Sequence, residues 1–519
     1  MKNLKLTAVM LCSSVVAMAG GLVTNTNQNV AFLRNPCRDA AIGIDGVYSN
    51  PAGVLFLGEG LHLSINIQNA HQTRTITSTF GGFAYGINNG GQTRIKFEGK
   101  ADAPVVPSIQ AAYNKKRWSF QAGFSITGGG GKCEFSDGLG SFESVVSMIP
   151  MLANAQGMNI TGYDYDSYLK GRQYYFGLQL GSAYRLTDNI SVYGGVRFMY
   201  GSCNYHGYLR DIDIQVDGNV VSAPTYFSGL YQQALQGAQQ YADAAALYAE
   251  QGDAQTAATY SAAAQQYQVV AQKAGALAVA TKDITLNCDQ QGFGAAPVIG
   301  VDIKAGCLNF AVKYDFKTRM RLENVSANSE SASNIAMLEK YADGKIVAED
   351  SPALLTAGVQ WTVIEPLRIS VGYHHFFDKQ AKQYADKQKE LDGGTNEFMG
   401  GVEYDICKRL QVSCGVQSTN YQFTDSYMND ISFNVSSYTL GGGFGINVTD
   451  KIKVNVAYFQ TNYQTYHKKT NDYNNLSSLV GSLAGQSSAD ALVMSGALAG
   501  ADDFTRTNRV LGLGIDFRF

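Results

Sequence analysis

Charge is scarce in this chain. Only 16% of its 519 residues are Asp, Glu, Lys or Arg, and 40 basic against 43 acidic side chains leave a formal net charge of −3. A nucleic-acid binder needs a basic surface to neutralise phosphates, so that class is excluded, and nothing here recruits an acidic partner. Disorder is excluded too, because 25 Phe and 31 Tyr accompany the low charge. Long apolar runs are also missing. Past the first 20 residues no stretch of 18 apolar residues is free of charge, so no transmembrane helix is expected. Cysteine is sparse, eight in all, and scattered without zinc-type spacing. The six histidines are dispersed. His374 and His375 are adjacent on a strand, where neighbours point to opposite faces and cannot easily clamp one metal. No Ser-His-Asp arrangement emerges. The expectation is a protein without metal or cofactor that is not an enzyme.

What is present begins with an export signal. In "MKNLKLTAVMLCSSVVAMAGG", Lys2 and Lys5 form a positive start, residues 6–16 are apolar, and Ala17-Met18-Ala19 is a cleavage site. Residues 1–19 are therefore expected to be a signal peptide, with the mature chain starting at Gly20. Seven cysteines remain, an odd number. Cys203 and Cys288 bracket one long insertion and are the only suggestive disulfide pair, the alternative being free thiols.

Alternation is the dominant pattern. In "VLGLGIDFRF", Leu511, Leu513, Ile515, Phe517 and Phe519 share one face and Val510, Gly512, Gly514, Asp516 and Arg518 the other. Fourteen such segments can be counted. Tight polar turns at 114–117, 187–189, 304–306, 365–366, 407–409 and 449–451 alternate with long connections at 70–104, 129–171, 204–289, 319–350, 378–396, 424–433 and 465–504. Short turns on one rim and long loops on the other are the pattern of outer-membrane barrels, and a mean hydropathy of −0.13 suits strands with one polar face. The fold expected is all-β: a 14-stranded antiparallel transmembrane β-barrel over residues 58–519. Both termini would lie at the short-turn, periplasmic rim. The alternative is a tandem of soluble β-sandwiches, whose hairpins rarely alternate so regularly in length.

Residues 20–57 are small, polar and not strand-like. They are expected to fill the lumen as an N-terminal hatch, the alternative being a periplasmic tail. Residues 226–281 are Ala- and Gln-rich and strongly helix-favouring, broken at Gly252-Asp253. They read as a helical hairpin inserted in an extracellular loop, packed by Tyr241, Tyr248, Tyr260 and Tyr267.

The stretch "YSNPAGVLFLGEGLHLSI" at 48–65 resembles the end of the hatch in the FadL-type outer-membrane transporters of long-chain fatty acids and other hydrophobic compounds. Asn50, Pro51 and Ala52 match that family's hatch motif, and the strand count agrees. "VPSIQAAYNKKRWSFQAGFSITGGGG" and "SPALLTAGVQWTVIEPLRISVGYHHFF" resemble later strands of such barrels. The resemblance implies passive uptake of a fatty acid-like ligand across the outer membrane of a Gram-negative-type cell. Apolar extracellular loops would capture the ligand, and a kinked third strand would release it laterally. It also implies a monomer surrounded by outer-membrane lipid and lipopolysaccharide, and placement of Asn50-Pro51-Ala52 beside the kink. Gly128, Gly129, Gly130 and Gly131 are the candidate kink, or alternatively the start of a flexible loop.

Two further groups of residues are candidates for ligand contact. Val145, Met148, Ile149 and Leu152 recur at helical spacing on a surface loop and offer an adaptable apolar surface, unless they cap the barrel and bury one another. Strand parity turns Arg197, Lys313 and Arg368 into the lumen. Each could hold a ligand carboxylate or anchor the hatch by ion pairs, together with Asp315, Glu403, Asp405, Asp516 and Arg518. Competing readings are a general porin and a haem-binding or adhesive surface receptor, the latter resting on His206 and His467 alone.

Overall fold

The computed structural model describes residues 29–155, 157–329 and 336–519. The expected signal peptide and residues 20–28 of the expected hatch lie outside the described residues. Fourteen strands close into one antiparallel barrel. In chain order they are β1 (Gly60–Phe80), β2 (Arg94–Lys115), β3 (Trp118–Phe135), β4 (Ile160–Arg185), β5 (Ile190–Val216), β6 (Ile284–Ala305) and β7 (Leu308–Asp315). They continue with β8 (Leu354–Ile364), β9 (Leu367–Phe376), β10 (Asn396–Cys407), β11 (Leu410–Asn420), β12 (Ser437–Thr449), β13 (Ile452–Tyr463) and β14 (Gly500–Arg518). Each pairs with its neighbours in sequence, and β14 returns to β1, where Leu63 faces Phe517 and Arg74 faces Arg506. The greasy face of the final strand is turned outward. Leu511 and Leu513 are exposed beside Leu61, Ile65 and Ile67, while Ser64, Asn66 and Asn508 are buried inside. No helix among the described residues is long and apolar enough to cross a membrane.

Several strands run well past the segments expected from alternation. β4 and β5 have 26 and 27 residues. At about 3.3 Å per residue that is roughly 85–90 Å, whereas a tilted strand needs only about 9–11 residues to cross a bilayer. The strands β7 to β13 stay at 8–13 residues. One half of the wall is therefore tall and the other half short. The extensions at 70–80, 94–104, 160–171, 204–216, 284–289 and 500–504 were expected to be loop. They escape recognition because the pattern inverts along the strand. In β1 the outward positions change from Leu61, Leu63, Ile65 and Ile67 to Asn69, His71, Thr73, Thr75, Thr77 and Thr79. The inward positions change from His62, Ser64, Asn66 and Gln68 to Ile76 and Phe80. β5 does the same, passing from an outward Val196, Phe198 and Tyr200 to Ser202, Asn204 and His206 while Cys203, Tyr205 and Leu209 turn inward. Below the crossover apolar residues meet hydrocarbon; above it they meet each other.

The short helix α1 (Val30–Arg34) lies inside the barrel. The tall half shelters α2 (Gly140–Asn154). Two long helices, α3 (Ala223–Glu250) and α4 (Ala254–Ala280), form an antiparallel pair between β5 and β6. Asp253 caps α4 by accepting from Thr256 N at 3.1 Å. Tyr241 stacks on Tyr260 and Tyr267, and Tyr248 on Tyr260, at 5.2–5.9 Å between centroids. Two further short helices, α5 (Leu476–Ala484) and α6 (Gln486–Met494), precede β14. Cys203 and Cys288 are free thiols. Register explains this: Cys203 faces Gln290 and Cys288 faces Tyr205, so the two are diagonal neighbours rather than opposite partners.

Candidate functional site

The segment 29–57 is held from all sides by lumen-facing polar side chains. Asn29 donates to Ser64 of β1 and Gln110 of β2, at 3.1 and 2.9 Å. Asn309 of β7 donates to the Ala40 carbonyl at 2.8 Å, and Gln179 of β4 to that of Val47 at 2.8 Å. These are buried backbone groups that need partners, and barrel side chains supply them. Inward glycines make room for the segment. A Cβ at Gly358 would sit 2.6 Å from Asp39, one at Gly415 2.7 Å from Asn35, and one at Gly512 2.5 Å from Leu33.

Asn50, Pro51 and Ala52 are pinned one by one. Asn50 donates to Asp302 of β6 at 2.6 Å. The Pro51 carbonyl accepts from Gln121 of β3 at 2.7 Å, and the Ala52 carbonyl from Ser191 of β5 at 2.6 Å. Ala52 packs with Leu55, Ala183, Tyr193 and Val298. The motif therefore does not sit beside Gly128–Gly131. Gln121 precedes Gly128 by seven positions, roughly 23 Å along a strand, and the wall near the short turns is where these partners lie.

The three candidate lumen cations are engaged with acids. Arg197 and Lys313 both grip Asp315, each at 2.8 Å, and both stand over the Tyr48 ring at 4.8 and 4.9 Å. Lys313 also donates to the Tyr48 carbonyl at 3.0 Å. Arg368 makes a two-pronged contact with Asp405 at 2.8 and 2.9 Å. Glu403 joins Arg368 to Arg38, which holds Glu403 at 2.7 Å and Asp45 at 2.8 Å. His374 bridges Asp39 and Glu397, at 2.8 Å each. Arg38–Glu403, His374–Asp39 and the contacts of Arg197 and Lys313 with Tyr48 tie segment 29–57 to the wall, and the remaining pairs brace these groups.

Val145, Met148, Ile149 and Leu152 are buried rather than displayed. Val145, Met148 and Leu152 belong to one apolar cluster with Phe80, Phe83, Tyr175, Tyr205, Met320, Phe433, Tyr473, Leu479 and Phe504. Ile149 belongs to a second, with Ile160, Tyr163, Leu209, Phe227 and Leu277. α2 hangs from the loop at 421–436, since Asp430 accepts from the Ser141 amide at 2.7 Å, where a helix N-terminus favours a carboxylate.

At the floor of the first cluster lie two arginines that sequence reasoning missed. Arg74 of β1 and Arg506 of β14 are directly opposite in register, 7% and 8% exposed. Among the described residues neither has a carboxylate in ion-pair range, and the Nε of each lacks a hydrogen-bond partner. Like charges opposed on neighbouring strands destabilise a sheet, and a desolvated guanidinium costs more still without an anion. Arg506 stands 5.1 Å over the Tyr463 ring, and Ile76 and Phe504, next on the same inner faces, enter the cluster. The signal that could have found them is parity: extended upward, the lumen face of β1 runs from Ser64 to Arg74.

The wall beside this cluster is incomplete. β2 and β3 pair from Ile109–Phe124 down to Lys115–Trp118 and again at Lys100–Glu134 and Gly99–Phe135, with no pairing between. On β2 the unpaired stretch contains Pro104 and Pro107, which have no N–H to donate. On β3 it contains Gly128–Gly131, where the register with β4 shifts twice. Gly129 and Gly131 have φ of +96° and +69°, a conformation that glycine adopts without strain. Ala101 and Cys133, at the upper edge of the interruption, belong to the same apolar cluster, and so does Tyr175, against which Gly128 packs.

No family model and no curated protein matches the chain in sequence. Solved structures do match in shape. A FadL homologue from Pseudomonas aeruginosa superposes with a TM-score of 0.58 at 10% identity, covering 96% of this chain and 99% of that one. The toluene transporter TbuX of Ralstonia pickettii gives 0.50 at 13%, covering 96% and 100%. The toluene transporter TodX of P. putida gives 0.51 at 12%, covering 92% and 94%. With fourteen strands, an occupied lumen and an interrupted β2–β3 seam, the chain has the FadL-type barrel fold.

Proposed function

We propose that this protein is an outer-membrane channel for passive uptake of hydrophobic molecules, with long-chain fatty acids or similar amphipathic acids as its ligands. The observation that supports it is the buried Arg74–Arg506 pair at the floor of an apolar cluster beside an unpaired seam of the wall. An acid with a long apolar body fits that polarity: its chain lies among Leu152, Met148 and Tyr473, and its carboxylate satisfies two guanidiniums. Arg197, Lys313 and Arg368 belong on this reading to the anchoring of segment 29–57 as a hatch. With the direct path filled, the seam between β2 and β3 is the exit, leading sideways into the bilayer. The neighbours named as toluene transporters are consistent with an apolar solute. The protein works as a monomer amid lipid and lipopolysaccharide, with its termini periplasmic and α3–α4 outside.

The test is uptake into proteoliposomes of a labelled long-chain fatty acid and of the corresponding neutral alcohol. Replacing Arg74 and Arg506 by Gln should slow the acid about 10–100-fold and leave the alcohol largely unaffected, the size expected for losing a charge-assisted contact of ~1.5–3 kcal/mol. Equal loss for both solutes, or for neither, rules out carboxylate recognition at this pair.

A further inference from the structure

Beneath segment 29–57, on the far side from Arg74 and Arg506, lies a chamber of about 950 Å³. Residues of three short turns, among them Cys307, Pro366 and Lys408, bound its mouth together with Asn447 of β12. Most of its charges are matched. Arg38 holds Asp45 and Glu403, and Arg368 holds Asp405. Asp516 accepts from Ser64 at 2.6 Å and Asn455 at 2.8 Å.

Apart from Lys304, which stands 5.1 Å over the Phe56 ring, and the exposed Lys408, two cations remain, Arg34 of α1 and Lys453 of β13. Neither has a carboxylate within ion-pair distance among the described residues. Both donate instead to one neutral acceptor, the Gln411 side-chain oxygen, at 3.1 and 2.8 Å. The Gln411 amide nitrogen is committed to Asp405 at 2.9 Å. Arg34 is only 2% exposed, and its Nε and Nη1 have no hydrogen-bond partner. The wall is cut away around it: a Cβ at Gly443 would come 2.9 Å from Arg34 Cγ, and one at Gly445 2.8 Å from Arg34 Nη1. Two cations sharing one amide oxygen are under-neutralised, and a planar guanidinium fork matches a carboxylate. Ala31, Ile42, Ile44 and Leu308 supply apolar lining alongside.

We propose that this chamber is a second ligand site, open at the short-turn rim, that takes the carboxylate of a small organic acid on Arg34 and Lys453. It goes beyond the uptake reading, since its residues and its mouth are distinct from those of the upper site. The volume suits a medium-length acid, within the range of small-molecule pockets.

The experiment titrates full-length protein in nanodiscs with carboxyl-13C hexanoate, followed by NMR, with 1-hexanol and inorganic phosphate as competitors. It is run in the R74Q/R506Q background, so that failure of the upper site and failure of this one are read separately. Saturable hexanoate binding that weakens at least about ten-fold on adding Arg34→Gln or Lys453→Gln is expected for loss of a charge-assisted contact, with hexanol a poor competitor. Lys453 is half-buried on the wall, so Lys453→Gln carries the test if Arg34→Gln does not give a heat-modifiable barrel. Absence of saturable binding, binding unchanged by both substitutions, or equal displacement by hexanol would overturn the proposal. Phosphate displacing hexanoate at matched concentration would overturn the carboxylate assignment.

Discussion

At the scale of single residues this molecule is inside-out across the membrane and right way round above it. Asn66, Gln110, Gln121, Gln179 and Asn309 are buried, while Phe120, Phe293, Val371 and Phe398 are exposed. Buried polar groups are tolerated because segment 29–57 offers carbonyls and amides to bond, and ion pairs are tolerated because each acid meets an opposite charge. Arg38 is the centre of that arrangement, fully enclosed between Asp45 and Glu403. Replacing it with Gln would strand the buried Asp45 and leave Glu403 only its 3.6 Å contact with Arg368, at a cost of about 3–5 kcal/mol. The expected outcome is a folded barrel whose ion conductance in planar bilayers rises, with residues near Asp45 newly open to protease. An unchanged conductance would show that the seat of the segment does not depend on this pair. Much at this scale was legible beforehand. Parity turned Arg197, Lys313, Arg368 and Glu403 inward, though not which acid each would meet, because a partner is chosen by register between distant strands. Arg74 and Arg506 were missed for another reason: the outward faces of their strands turn polar at Thr73 and Thr507, and alternation of hydropathy fades where both faces are mixed.

At the scale of elements the turns and the helices behave differently from the seam. The tight turns are readable from their own residues, and so is the α3–α4 pair, whose Ala and Gln content needs no tertiary help. That independence has a testable form. Excising residues 235–270 and joining the ends with a short Gly-Ser linker keeps Phe227 and Leu277 in their cluster. The barrel should retain its heat-modifiable gel shift and thermal midpoint, whereas loss of both would make the pair part of the barrel's folding unit. The β2–β3 seam is the opposite case, since an interruption depends on what two strands do together. Gly129→Val would place a β-branched residue at φ +96° with its Cβ against the Gln173 carbonyl, a strain of about 1–3 kcal/mol. Fatty acid uptake should fall sharply while the gel shift persists; full uptake in a folded variant would count against exit through this seam. The cap above is tuned by acid. Burial, helped by Asp502, lifts the Asp430 carboxyl to about 6, and burial, helped by Glu397, does the same for Asp378. Each folded value lies above the unfolded one, so this stabilisation is complete below about pH 4 and lost as pH rises through about 6, on the order of 3 kcal/mol per carboxyl. Protection factors around Ser141 and residues 425–435, corrected for the intrinsic pH dependence of amide exchange, should therefore be larger at pH 5 than at pH 7, and Asp430→Asn should flatten that difference.

At the scale of the whole molecule the fold is set by closure: β14 bonds to β1, so that among the described residues every barrel strand has a neighbour on both sides, interrupted at the β2–β3 seam. The two tryptophans, Trp118 and Trp361, are both exposed beside short turns at one rim, where aromatic rings sit at the headgroup level. Their fluorescence should be quenched more by lipids brominated near the headgroup than by lipids brominated at the acyl terminus; the reverse order would shift the barrel along the membrane normal. The inversion of the strands carries a last implication. A solute dissolved in the cap moves over an inner surface that is oil-like as far down as Ile76 and Phe504, then turns water-like at Gln72 and Asn508. On the outside of the same wall the order is reversed, water-like above and oil-like below. The level of Arg74 and Arg506 is thus a watershed. On the proposed lateral route, an apolar body that reached it would have hydrocarbon available in only one direction, through the wall, and would need no energy source to take it, because each stage would lie downhill of the one before.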